Sequence, residues 1–267
     1  MDPEDAKRRI VEAFGDDFVD PGVVAFGGGL DNAAFLVDGE WVFRFPRDAE
    51  RAWYLRRELE VLPRLPDIGV PVPRPRFVDP APFAGYRLLE GTPASQAAAV
   101  DRVRVARRLG EVLRRLHSAT IEGLDAPPPK IGKTDPSIAL PRIPARYRAL
   151  AESLLVEDAP RARWVHGDLY PRHLLLDDAG DLAGIIDWGD VHQGDPAVDL
   201  SLVHGWLDAD ARAAFEDAYG PIDERTATRA RFVALYYGVV LAPLAESLRA
   251  PDLAALSAEY LSRVAGA

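Results

Sequence analysis

At 267 residues the chain can form one large domain or two lobes, and 48% hydrophobic with 28% charged residues is the make-up of a folded protein with a substantial core, not of a disordered one. There is no cysteine, which excludes disulfides, thiolate metal sites and a cysteine nucleophile and suits a reducing cytoplasm. Lys and Arg total 32 against 42 for Asp and Glu, and the formal charge of -10 argues against nucleic acid as a partner while permitting a cationic ligand.

The acidic start, Met1-Asp2-Pro3-Glu4-Asp5, leads into an amphipathic stretch over 7–14 without the basic end and apolar run of a secretory signal, so a cytoplasmic location is expected. A small sheet follows. Val23-Val24-Ala25-Phe26, Ala33-Ala34-Phe35-Leu36-Val37 and Trp41-Val42-Phe43-Arg44-Phe45 read as three strands, joined by a glycine loop at Gly27-Gly28-Gly29 and a tight turn at Asp38-Gly39. Over 48–65 the residues Trp53, Leu55, Leu59, Val61 and Leu62 approach helical spacing, and Pro63 and Pro66 close the segment. The stretch 70–82 is too rich in proline for a central strand, whereas Tyr86-Arg87-Leu88-Leu89 reads as a final strand ending at Glu90-Gly91. We place a domain boundary there, with residues 1–90 before it and 91–267 after it.

Beyond Gly91 the pattern becomes helical. Residues 97–116 carry Val103, Ala106, Leu109, Val112, Leu113 and Leu116 on one face, and a second helix is expected over 147–155, past the loop Pro127-Pro128-Pro129. A compact β segment is expected at Trp164-Val165, Leu174-Leu175-Leu176 and Ile185-Ile186. Helices then return, including an apolar run over 232–244 that is short for a membrane span and contains Gly238 and Pro243. It reads as a buried helix, and no membrane partner is expected.

The chemistry is concentrated in Val165-His166-Gly167-Asp168-Leu169-Tyr170-Pro171-Arg172-His173 and in Ile186-Asp187-Trp188-Gly189-Asp190. A strand ending in His-Gly-Asp puts the Asp168 carboxylate on a loop at a sheet edge, where it can accept a hydroxyl proton. Asp187 is expected to end the next hairpin strand, and a hard oxygen donor there can hold Mg²⁺ against nucleotide phosphates.

These segments resemble the aminoglycoside phosphotransferase family, whose members carry H-G-D-x-x-x-x-N followed by I-D-W, and Gly194-Asp195-Pro196-Ala197-Val198-Asp199-Leu200 is similar to the segment that follows the family's metal aspartate. His173 stands where the common residue is Asn, as it does in the 2''-aminoglycoside and macrolide kinases. The resemblance implies a two-lobed kinase-like α+β fold, with a small antiparallel-sheet N-lobe and a larger, mainly helical C-lobe. It further implies ATP or GTP as phosphoryl donor, Asp168 as catalytic base, and His173 with Asp187 as ligands of Mg²⁺ or Mn²⁺. Arg44 would stand on the third strand where kinases carry a phosphate-contacting Lys, with Glu58 as its helix partner. Gly28 and Gly29 would cover the nucleotide, and Leu89 and Gly91 would meet its base. The implied acceptor is a small hydroxylated molecule, an aminoglycoside first and a macrolide second.

Some residues have plainer readings. His166 is expected to fix its loop by hydrogen bonding rather than exchange a proton. Asp195 and Asp199 are expected to brace the loop and cap a helix near Pro196. His117, His192 and His204 show no partner pattern and read as structural or exposed. Little chain separates Asp187 from Pro196, which disfavours a protein acceptor. Two other readings compete. A metabolic kinase of choline, homoserine or a sugar would use the same scaffold, and residues 206–267 would distinguish it. A catalytically silent nucleotide-binding module would show a damaged base or metal position, yet Asp168 and Asp187 are both intact.

Overall fold

The computed structural model describes residues 1–28, 31–81, 83–122, 124, 135–156 and 162–266. The chain forms two compact units. One comprises Met1–Leu65 and Pro71–Leu89, the other Pro66–Val70 and Glu90–Ala267.

The first unit contains α1 (Pro3–Phe14), β1 (Val23–Gly28), β2 (Asn32–Val37), β3 (Trp41–Pro46), α2 (Ala49–Val61), β4 (Pro75–Asp79) and β5 (Phe83–Arg87). Asp2 accepts the Asp5 N–H and Pro3 opens the first turn, so α1 begins before the amphipathic stretch read over 7–14. The strands form one antiparallel sheet in the order β1-β2-β3-β5-β4. β4, which opens with Pro75 inside the proline-rich stretch 70–82, lies at its edge, where a missing N–H is tolerated. Alternation along β3 sends Phe43 and Phe45 into a core of Phe35, Phe77 and Phe83 roofed by Ala6 and Ile10 of α1. Gly85 of β5 makes room for this core, because a Cβ there would lie 2.6 Å from Phe43 Cζ.

Two further boundaries differ from the sequence reading. The expected strand over 86–89 runs from Phe83 to Arg87, because Arg87 pairs with Trp41, the first residue of β3, and no partner strand continues beyond it. The Leu88 N–H bonds instead to the Glu40 carbonyl. The helix expected over 48–65 ends at Val61 and passes into a tighter turn, Leu62–Arg64, with Pro63 inside it.

The second unit contains β6 (Thr92–Pro93), α3 (Arg102–Ser118), α4 (Pro136–Ala139), α5 (Ala145–Ser153), β7 (Arg163–Val165), β8 (Leu174–Leu176), β9 (Leu182–Ile185), β10 (His192–Gly194), α6 (Ala197–Gly205), α7 (Ala209–Tyr219), α8 (Glu224–Leu248) and α9 (Pro251–Ala265). The start of α3 falls five residues after the expected 97, because Asp101 caps the helix by accepting the Arg104 N–H. The loop Pro127-Pro128-Pro129 lies outside the described residues. Short ladders join β6-β8-β9 and β10-β7. Helix α3 packs on α7, and α8 packs on α6 and α9. By length and composition α8 is apolar enough to cross a membrane, and half of its apolar window is buried within the unit.

Candidate active site

Strand β7 ends at Val165 and the chain turns through His166, Gly167 and Asp168. Gly167 has φ +84°, and a Cβ there would overlap the Asp190 carbonyl, so both conformation and space require glycine. The turn is tied down from α6. Asp199, fully buried, accepts the His166 N–H at 2.8 Å on Oδ2 and the Gly167 N–H at 2.9 Å on Oδ1. The same carboxylate meets His117 Nε2, at the end of α3, at 3.2 Å, and His117 Nδ1 meets the Tyr219 hydroxyl of α7 at 2.8 Å. Burial works against ionisation of Asp199, but His117 and the loop N–H groups outweigh it, and the carboxyl stays below its ordinary value. Burial and the Asp199 charge push the Tyr219 phenol up to about 12, so it remains a protonated donor.

The His166 ring is buried between the two carboxylate-bearing loops. Its Nδ1 accepts the Asp168 N–H at 3.2 Å, so the proton sits on Nε2, which donates to the Ile186 carbonyl at 3.0 Å. Burial lowers its pKa below the ordinary imidazole value. A neutral ring with both nitrogens engaged is a spacer, and it spans the loop of Asp168 and the residue preceding Asp187.

His173 makes the second bridge. It closes a short turn, Pro171–His173, and its Nδ1–H donates to the Asp168 carbonyl at 2.8 Å while its own carbonyl accepts the Ile186 N–H at 3.0 Å. With Nδ1 engaged there, Nε2 faces Asp187 Oδ2 at 3.4 Å. Asp187 is a left-handed non-glycine residue at φ 65°, a conformation aspartate tolerates better than most, and its side chain is 45% exposed. The Trp188 indole beneath it donates to the Ile185 carbonyl. Asp168 is less open, at 25%, and its Oδ1 accepts the Tyr237 hydroxyl of α8 at 2.8 Å.

Two donors of different loops, Asp187 Oδ2 and His173 Nε2, thus converge on a partly open point. Among the described residues no cluster of three or more His, Cys, Asp or Glu could hold a metal by itself. The carboxylate could hold an ion that keeps waters and takes its remaining ligands from phosphate oxygens, which is the habit of Mg²⁺, whereas imidazole is an unusual ligand for that ion.

In the first unit, the alternation that buries Phe43 and Phe45 turns Arg44 to the opposite face of β3. There Nη1 lies 2.9 Å from both carboxylate oxygens of Glu58, which is fully buried on α2. Tyr86 of β5 adds a contact at 3.4 Å to Glu58 Oε1. Gly28 ends β1 opposite Ala33, and Gly29 lies outside the described residues. Leu89 is the last residue of the first unit and Gly91 lies near the start of the second, where its φ of 138° and a Cβ position 3.0 Å from the Leu176 carbonyl require glycine.

Sequence reasoning did not supply the partners of three of these residues. His117, read as structural or exposed, is structural and buried on Asp199. Asp195 accepts the Ala197 N–H at the start of α6, and Asp199 braces a loop as expected, the His166 turn, but caps no helix. Tyr237 was absorbed into an apolar run. Its phenol was the available signal, since a buried tyrosine hydroxyl almost always finds a partner.

The family model described as the phosphotransferase enzyme family matches residues 22–232. The chain is 45% identical over 38 residues to the uncharacterized protein YcbJ of Bacillus subtilis (strain 168), a stretch covering 14% of this chain and 12% of that protein. Among solved structures it is similar to the GDP complex of wild-type aminoglycoside 2'-phosphotransferase-IIIa, with a TM-score of 0.77 and 24% identity over 100% of this chain and 99% of that one. It is also similar to macrolide 2'-phosphotransferase MphH from Brachybacterium faecium, with a TM-score of 0.67 and 24% identity over 97% and 98% of the two chains. The fold is therefore the two-lobed, kinase-like α+β fold of these proteins.

Proposed function

For a chain that belongs to the phosphotransferase enzyme family, we propose transfer of a nucleotide γ-phosphoryl group to a hydroxyl of a small molecule, with Asp168 as base and Asp187 and His173 as metal ligands. One observation carries this reading. Asp168 and Asp187 belong to adjacent loops that two histidines pin to each other, each carboxylate partly open and each supported by buried groups.

In this reading the acceptor hydroxyl hydrogen-bonds to Asp168, its oxygen bonds to the γ-phosphorus, the bond from that phosphorus to the β–γ bridging oxygen breaks, and the hydroxyl proton passes to Asp168. The products are a phosphate ester and a nucleoside diphosphate. A bound Mg²⁺ would neutralise phosphate charge beside the leaving oxygen. His173 keeps its Nε2 turned toward Asp187 because its other nitrogen is committed to the Asp168 carbonyl. Arg44, steadied by Glu58, contributes positive charge to the nucleotide phosphates, a role a planar guanidinium performs with two parallel donors. Residues 1–90 then act as the nucleotide-binding lobe, and residues 91–267 carry the base, the metal ligands and the acceptor pocket.

The acceptor we favour is an aminoglycoside, with a macrolide second. The net charge of -10 permits a cationic acceptor, although an acidic balance also simply keeps a protein in solution, and the structurally similar proteins include the GDP and kanamycin complex of an aminoglycoside kinase, matched with a TM-score of 0.74. The test is phosphorylation of kanamycin, a macrolide, choline and homoserine with ATP or GTP, alongside Asp168→Asn. We expect turnover with an antibiotic, and a loss of about 10²-fold or more in kcat for Asp168→Asn with nucleotide binding retained. Turnover of choline or homoserine alone would replace the antibiotic reading, and nucleotide binding with no turnover of any acceptor would leave only a binding module.

A further inference from the structure

We propose that Tyr237, in the middle of α8, is a positioning residue for phosphoryl transfer, holding the Asp168 carboxylate in the orientation that meets the acceptor hydroxyl. This inference rests on Asp168 being the base.

The geometry begins with the two oxygens of Asp168. Oδ1 accepts the Tyr237 hydroxyl at 2.8 Å, while Oδ2 lies toward His173, 3.9 Å from its Nδ1. The Asp168 backbone is already fixed, its N–H on His166 and its carbonyl on His173. Two side-chain torsions remain, and a bond to one oxygen sets the plane of the carboxylate. Tyr237 is itself immobilised. It is 3% exposed, and its ring lies 5.9 Å from Tyr170 and 6.2 Å from Tyr260 of α9. Tyr170 in turn packs on His173 at 4.3 Å, so the same aromatic group buttresses the imidazole facing Asp187.

Direction follows from chemistry. Burial first, and the Asp168 charge second, raise the Tyr237 phenol well above its ordinary value, so it stays protonated and donates. It cannot compete for the substrate proton, and it offers a carboxylate the charge-assisted bond that favours one fixed geometry. Reacting groups misplaced by about 1 Å lose rate on the order of 10²-fold, which is the scale on which such a tie matters. The base is thus aimed by a helix 69 residues further along the chain, beyond the loop that carries it.

The experiment is a kinetic cycle on the full-length protein, using basal nucleotide hydrolysis with water as acceptor and, separately, kanamycin phosphorylation. Wild type, Tyr237→Phe, Asp168→Asn and the double variant are compared. We expect kcat for Tyr237→Phe to fall about 10- to 100-fold with nucleotide KM within about threefold, and Tyr237→Phe to cost nothing further once Asp168 is Asn. Tyr260→Phe removes a neighbouring buried hydroxyl that has no hydrogen-bond partner among the described residues, and it should keep the wild-type kcat. If Tyr237→Phe does not fold, 4-aminophenylalanine at 237 retains a donor and should preserve kcat, whereas O-methyltyrosine fills the position without donating and should not. Wild-type kcat in Tyr237→Phe, or an equal loss in both backgrounds, overturns the proposal. Wild-type kcat in Asp168→Asn overturns the base reading itself, and that outcome is separately visible.

Discussion

The two units hold their candidate site charges by opposite means. In the first, Arg44 and Glu58 neutralise each other directly, a guanidinium against a carboxylate with no exposure to water. In the second, the two candidate residues, Asp168 and Asp187, are both carboxylates, groups of the same sign. Their loops are joined by a neutral imidazole, a second imidazole and backbone hydrogen bonds, and the His166 turn rests on Asp199. A pair of opposite charges is self-supporting and needs only a strand and a helix side by side. Like charges must be held by the surrounding structure, so the second unit places buried polar groups around them: His117, His166, His173 and Asp199 are all below 9% exposure.

The comparison breaks first at Gly167. Replacing it with alanine puts a side chain at φ +84° and drives Cβ into the Asp190 carbonyl, and the combined backbone and steric cost is roughly 4 kcal/mol. Urea unfolding should show that loss, with phosphoryl transfer reduced in parallel. Wild-type stability would mean that the loop is not held as described. The first unit should give way at Glu58→Ala, which leaves Arg44 mostly buried without its carboxylate. A loss of about 3 kcal/mol, with weaker nucleotide binding by calorimetry, is expected. A change in kcat at unchanged nucleotide affinity would count against the phosphate role of Arg44.

The smallest effect is set by pH and confined to the second unit. Burial, helped by Arg212 and Arg231, lowers His204 to about 4, and its Nε2 has no hydrogen-bond partner among the described residues. The unfolded state, with its imidazole near 6.5, binds the proton first on acidification, so stability falls as pH drops below about 6.5 and the loss saturates below about 4. At pH 5 the loss attributable to His204 is roughly 2 kcal/mol. His204→Phe should remove that part of the acid sensitivity in thermal melts, and an unaltered pH dependence would refute its assignment to this histidine. The sharper comparison is that Glu58→Ala should leave the same acid sensitivity in place.

The sheet, the helix after it and the two carboxylate loops were legible because each is signalled locally. Alternating Phe43 and Phe45 buried one face of β3 and sent Arg44 to the other, and glycine at 167 announced a turn that no other residue could make. Element ends were less legible. Leu88 and Leu89 have strand-like side chains, yet their membership in β5 was decided by where β3 begins. The start of α3 depended on Asp101 acting as a cap, not on the apolar spacing that continued upstream of it.

By itself the sequence determined which residues are candidates for the chemistry: a strand followed by His-Gly-Asp, a second aspartate at the next hairpin, and an arginine and a glutamate on neighbouring elements. Only the tertiary structure decided what holds them. His117 meets Asp199 across 82 residues and Tyr237 meets Asp168 across 69. Periodicity records that such side chains are buried, because burial depends on the face of a single element. It does not record their partners, because a hydrogen bond between distant elements depends on how whole helices pack.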